Sequence, residues 1–94
     1  MQLERDVESY LGKSVRRLGG RCVKFIPDEE NGMPDRIVML PGGVLIWVEL
    51  KNGETEQARR LQNLQHKRLR DLGQRVEVVH TKAAVDELMR EYMK

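Results

Sequence analysis

The sequence is poor in the residues that staple or stiffen a small fold. It has one cysteine, Cys22, among 94 residues. A lone thiol closes no internal disulfide, so stability must come from packing, and a reducing cytoplasm is the expected setting. Aromatic residues are nearly as scarce: Tyr10, Phe25, Trp47 and Tyr92 make up 4% of the chain. Stacking of bases on an aromatic platform is therefore not the expected mode of action. Long apolar runs are missing too. The uncharged stretch from Ile37 to Val48 is too short to cross a bilayer and contains Pro41-Gly42-Gly43. No cationic segment followed by an apolar stretch opens the chain, so neither a secretory signal nor a membrane association is expected.

What remains is a short, highly charged chain. Its length suits one domain over residues 1–94. A chain of this size buries only about two-thirds of the surface its unfolded form exposes. Charged residues reach 34%, yet the net charge is only +2, so distribution matters more than the total. Between Arg59 and Arg75 lie Arg59, Arg60, Lys67, Arg68, Arg70 and Arg75 against a single acid, Asp71. Between Val15 and Lys24 lie Arg16, Arg17, Arg21 and Lys24 with no acid. The acids collect elsewhere, at Glu4, Asp6, Glu8, Asp28, Glu29, Glu30, Asp35 and Glu49. Segregated bases can bind a polyanion and segregated acids a metal; a charge run can also be no more than a solvated helix face.

Periodicity orders the chain. Leu3, Val7, Tyr10, Leu11, Val15 and Leu18 recur at helical spacing, and Gly19-Gly20 ends that helix, predicted over residues 2–18. A short strand follows over 21–26, then a polar loop to Pro34. Residues 35–40 and 44–51 read as two strands of a hairpin joined at Pro41-Gly42-Gly43. The second shows no alternation, which predicts cover on both faces. Asn52-Gly53-Glu54 breaks it, and Thr55 is placed to cap a second helix carrying Ala58, Leu61, Leu64, Leu69 and Leu72, which Gly73 closes. A fourth strand, 76–80, precedes a last helix capped by Thr81. The order is αβββαβα.

One constellation in this arrangement carries chemistry. Asp35 starts one hairpin strand, and Glu49 and Lys51 end the other. Positions i and i+2 of a strand share a face, so Glu49 and Lys51 are expected to project together. In an antiparallel hairpin the start of one strand lies beside the end of the next, which brings Asp35 to Glu49. Two close carboxylates repel unless a cation neutralises them, and hard oxygen ligands with open positions suit Mg²⁺ or Mn²⁺. The Leu50 carbonyl is a further, sequence-independent ligand. Lys51 can orient a water or stabilise developing negative charge. The bland alternative is a cross-strand salt bridge on a solvated hairpin. Against it, the strand is otherwise apolar, and burying such charges without a ligand is costly.

Met33-Pro34-Asp35 followed by Val48-Glu49-Leu50-Lys51 resembles the PD-(D/E)XK nuclease signature. The fit is closer to one branch, the virus-type replication–repair nuclease (VRR-NUC) domain. Gly19-Gly20, Lys24-Phe25, Gly32 to Val38, Pro41-Gly42-Gly43 and Val48 to Lys51 match that branch in order, and Gln62, His66, Leu69 and Gly73 follow at its usual spacing. The resemblance covers about Glu4 to His80. It implies an α/β fold: a restriction-endonuclease-like αβββαβ core with a four-stranded mixed sheet flanked by helices, here followed by a C-terminal helix. It implies Mg²⁺- or Mn²⁺-dependent cleavage of DNA. Asp35 and Glu49 take the metal positions and Lys51 the catalytic lysine. An acid on the first helix completes the set. Glu4 is preferred and Glu8 is the alternative, four residues on along the same helix face. Gln62 matches a helix-borne glutamine close to the active site; it reads equally well as an exposed amide. His66 is read as a surface histidine, with phosphate contact or proton shuttling as the alternative.

Arg36, beside Asp35, is expected to reach a phosphate, and Arg59, Arg60, Lys67 and Arg68 to widen that track. Such contacts set affinity and salt dependence, not sequence choice. No reader of base edges is evident, so DNA shape is the expected target. Compact members of the branch resemble phage-encoded nucleases that act in the bacterial host as homodimers on branched DNA such as four-way junctions. Candidate interface residues are Tyr10, Met39, Met89, Tyr92 and Met93. A catalytically silent junction-binding module and a sequence-specific restriction-type nuclease are the competing readings.

Overall fold

A computed structural model describes residues 2–27, 31–51 and 53–93. The acidic triplet Asp28-Glu29-Glu30, read as part of a loop, and Asn52 of the predicted strand break lie outside the described residues. Seven elements occur in the expected order: α1 (Glu4–Arg17), β1 (Arg21–Lys24), β2 (Arg36–Leu40), β3 (Val44–Glu49), α2 (Glu56–Asp71), β4 (Arg75–Val78) and α3 (Lys82–Arg90).

Local chemistry sets the helix ends. Thr55 and Thr81 each accept a hydrogen bond from the amide three residues on, at 3.0 Å, which satisfies an otherwise unpaired donor of the first turn. The paired backbone bonds Gly20 N–H to Val15 O and Gly19 N–H to Arg16 O close α1, and Gln74 to Leu69 with Gly73 to Arg70 close α2 the same way.

The strands form one sheet in the order β1-β2-β3-β4. The first three are antiparallel, and β4 runs parallel to β3. A parallel pair needs a long crossover, which α2 supplies. One sheet face carries the core. Val38, Leu40, Ile46 and Val48 meet Val7, Leu11 and Val15 of α1 and Val85, Leu88 and Met89 of α3, all buried. The opposite face is covered only in part. α2 packs over β4, burying Leu69 and Val76. Leu45 is therefore exposed and Trp47 half-exposed, with the Trp47 ring edge-on to Phe25 at 5.3 Å. The unbroken apolar run of β3 thus does not mean cover on both faces. It serves a core on one side and an incompletely roofed surface on the other.

Two strand ends differ from expectation in a way that matters for the site. β2 begins after Asp35, and β3 ends at Glu49, so the chain leaves the sheet before Lys51. Pairing persists by one bond at each end, from Phe25 N–H to Asp35 O and from Val79 N–H to Glu49 O, both 2.9 Å. The segments on either side of the sheet then press against α2. Gly32 has φ +86°, and a Cβ there would stand 2.6 Å from the Leu61 carbonyl carbon. Gly53 is as tight, 2.7 Å from the Arg59 amide nitrogen.

Gly32→Ala should cost about 1–2 kcal/mol from the left-handed backbone alone, with the contact on α2 adding to it. Urea unfolding measures this, and an unshifted midpoint would contradict the close approach.

Candidate active site

The sheet register carries Asp35 to Glu49. Arg36 pairs with Val48, so the residue before the one faces the residue after the other. Strand alternation turns Val48 into the α1/α3 core and Glu49 to the α2 side. Glu49 is 3% exposed although it ends its strand. Asp35 Oδ1 accepts the Leu50 amide N–H at 2.9 Å, stitching the start of β2 to the exit of β3. Its Oδ2 is buried with no hydrogen-bond partner among the described residues. A buried carboxylate oxygen without a partner is rare in folded proteins and is a place where a cation or a water can bind.

The electrostatics follow from this crowding. Burial, and then the Asp35 carboxylate, push the Glu49 pKa up to about 8; the Lys51 backbone amide and Arg36 pull weakly the other way. Neutralisation by a proton is one way to relieve two adjoining carboxylates, and a cation is the other. His66 Nε2 lies 3.4 Å from Glu49 Oε1, and both side chains are almost wholly buried. Burial, and then Arg70, hold the imidazole pKa below its usual value. A neutral imidazole can donate to that carboxyl oxygen in the Nε2–H tautomer.

Lys51 and Glu4 stand at the rim. Lys51 is exposed, and its Nζ is 3.8 Å from Glu4 Oε1. Lys51 lies beyond the strand end, so the face it shares with Glu49 is not set by β alternation as the spacing suggested. Gln62 brackets the loop that carries it: Nε2 donates to the Lys51 carbonyl and Oε1 accepts from the Gly53 N–H, both at 3.1 Å. Gln65, one turn of α2 further, donates to the Asn31 carbonyl ahead of Asp35.

Three expectations need correction. Arg36 is no phosphate contact: it is 3% exposed, its guanidinium bonds the Asp35 carbonyl, and it pairs with Glu8 at 2.8 Å. As the first residue of β2 it points into the α1 side of the sheet, not to solvent. That pairing also commits Glu8 to Arg36, whereas Glu4 reaches the rim. His66 is not a surface residue but is 4% exposed against Glu49. Its spacing held the signal: Gln62, His66 and Leu69 fall on one helical stripe. Met89, offered as an interface residue, is buried in the core.

The remaining basic candidates lie on α2. Arg59 donates to the Gly53 carbonyl and so sits beside the Lys51 loop. Arg60 and Lys67 occupy the outer face, each 2.7 Å from an acid one turn away, Glu56 and Asp71. Arg68 is exposed.

The donor set fits a small divalent cation. Among the described residues no three His, Cys, Asp or Glu side chains gather into a cage, so Glu4 does not join Asp35 and Glu49 as a third close member. Two carboxylates with the Leu50 backbone between them leave positions open. Mg²⁺ and Mn²⁺ tolerate this because they keep several waters.

Comparison with known proteins agrees with this geometry. No family model matches the chain. It is 40% identical over 76 residues to "Putative nuclease p44" of Acyrthosiphon pisum secondary endosymbiont phage 1, covering 81% of each protein. A solved structure described as a VRR_NUC domain superposes with a TM-score of 0.83 at 34% identity, covering 96% of this chain and 97% of that one. No described helix is long and apolar enough to cross a membrane. With a buried Glu49 beside a half-buried Asp35 at the sheet edge, and with sequence and fold both matched over most of their length, the chain belongs to the VRR-NUC family of nuclease domains.

Proposed function

We propose that this nuclease is a divalent-metal-dependent, structure-selective DNA endonuclease acting on branched DNA such as four-way junctions. The observation that carries the metal dependence is the Asp35 oxygen buried without a partner among the described residues, beside a buried Glu49. Asp35, Glu49 and the Leu50 carbonyl would hold Mg²⁺ or Mn²⁺, with Glu4 approaching from the rim. When bound, the ion polarises the phosphoryl oxygen and lowers the pKa of the attacking water.

The chain's own residues do the rest. Lys51 places an ammonium at the rim, where it orients the water and stabilises charge that develops on the phosphate. Gln62 fixes the loop that aims it. Water oxygen bonds to phosphorus in line, the bond from phosphorus to the 3′-oxygen breaks, and that oxygen leaves with a proton as a hydroxyl. Arg59 is the nearest basic contact for a flanking phosphate. Arg60, Lys67 and Arg68 extend the track, and Arg60 and Lys67 must exchange an acid on their own helix for DNA.

A homodimer suits the branched substrate, since a two-fold axis presents matched active sites to symmetric strands. Of the residues offered for its interface, Met93 is exposed, while the hydroxyls of Tyr10 and Tyr92 are bonded to Asp86 and Arg75. The phage origin of the relative supports a site of action in the bacterial cytoplasm.

Asp35→Ala and Lys51→Ala should each cut a four-way junction more than about a hundredfold more slowly than the unaltered protein in Mg²⁺ or Mn²⁺. Undiminished cutting by both would overturn the site. Linear duplex cut as fast as the junction would remove the structure selectivity alone. A second test follows from the raised pKa of Glu49. The folded state keeps a proton that the unfolded chain releases, so without metal stability falls as pH rises from about 4.5 to about 8. Melting followed by circular dichroism should show this decline, flattened in Glu49→Gln. Added Mg²⁺ should raise the melting temperature more at pH 8 than at pH 6, and equal shifts at the two would count against metal binding at this carboxylate.

A further inference from the structure

α2 does more than support the sheet. Along one stripe it carries Gln62, Gln65 and His66, and each holds a different segment of the site. Gln62 grips the loop after β3, and Gln65 grips the loop before β2. Of the three, His66 is the one that touches a carboxylate itself. Its side chain and that of Glu49 are 5% and 4% exposed, so neither has water to turn to instead. The contact of 3.4 Å is at the long end of the hydrogen-bond range. It can shorten when the carboxylate carries its charge, because bonds to ionised acceptors are shorter and stronger.

We propose that His66 is a positioning residue for Glu49, donating from Nε2–H to Oε1 and so fixing the rotation of the carboxylate for cation binding. The inference rests on the metal-binding reading above and adds to it the residue that orients one ligand. Partners of this kind set both the direction and the basicity of a metal-binding group. Helix packing fixes the imidazole, and the imidazole fixes the carboxylate. A free Glu49 side chain would have to lose its rotational freedom each time an ion bound.

The test is Mn²⁺ titration by calorimetry into the unaltered protein and into H66L, H66Q and E49A. H66L fills the volume without a donor and should bind Mn²⁺ about 10–100-fold more weakly. H66Q keeps an N–H donor at similar reach and should stay within a few-fold of the unaltered affinity. Unchanged Mn²⁺ affinity in a folded H66L, even with a lowered melting temperature, would reduce His66 to packing and overturn the inference. E49A binding Mn²⁺ as tightly as the unaltered protein would instead overturn the metal reading beneath it. Nitrogen NMR of the unaltered protein with Mg²⁺ needs no variant to fold. The Nε2–H tautomer is expected, and the Nδ1–H tautomer would refute the proposal.

Discussion

A buried and a half-buried carboxylate held side by side are the constraint around which this molecule is arranged. Asp35 and Glu49 meet because hairpin register puts them opposite each other; Glu49 is buried and Asp35 half-buried with one oxygen shielded, so charge gathered there is expensive. Hydrogen bonds meet part of that cost: the Leu50 amide on Asp35 and the His66 imidazole on Glu49. Among the described residues, none serves the other Asp35 oxygen. A fold built for stability alone would place an apolar pair at this register. That this one retains two acids, and raises the proton affinity of one of them, marks the sheet edge as a place for chemistry.

The surrounding structure grips this edge from both sides. On the α1 side, the buried Arg36 ties the first residue of β2 to Glu8 and to the Asp35 carbonyl. On the α2 side, glycines at 32 and 53 let two loops lie directly on the helix, where the side chains of Gln62 and Gln65 bond their backbones. The carboxylates thus have little freedom to drift apart, and preorganisation of this kind is where much of an enzyme's rate enhancement resides. Lys51 stands exposed at the rim, its ammonium 3.8 Å from Glu4.

Much of this was legible in the chain. Helical and strand periods, two threonine caps and glycine stops ordered all seven elements correctly, because each is a local signal acting over a few residues. The pairing of positions 35 and 49 followed from hairpin geometry. What the sequence hid depended on distant packing. An arginine beside a metal-ligand candidate looks like a phosphate contact until the strand phase turns it inward to Glu8. His66 looked like one more polar residue on a polar helix, because nothing local reveals that the next layer is a buried glutamate. The run Val44 to Val48 suggested two covered faces, but where α2 lands on the sheet is a tertiary outcome.

That landing leaves the chain's one tryptophan in an unusual position. Trp47 lies on the uncovered part of the sheet, edge-on to Phe25 and bonded through its indole N–H to Gln74. Its strand neighbour two residues on is Glu49. The molecule therefore carries a native fluorophore on the same sheet face as its acidic pair, half open to solvent. Whatever comes to cover that bare patch must change the polarity around the indole, and its emission would register the event without any label.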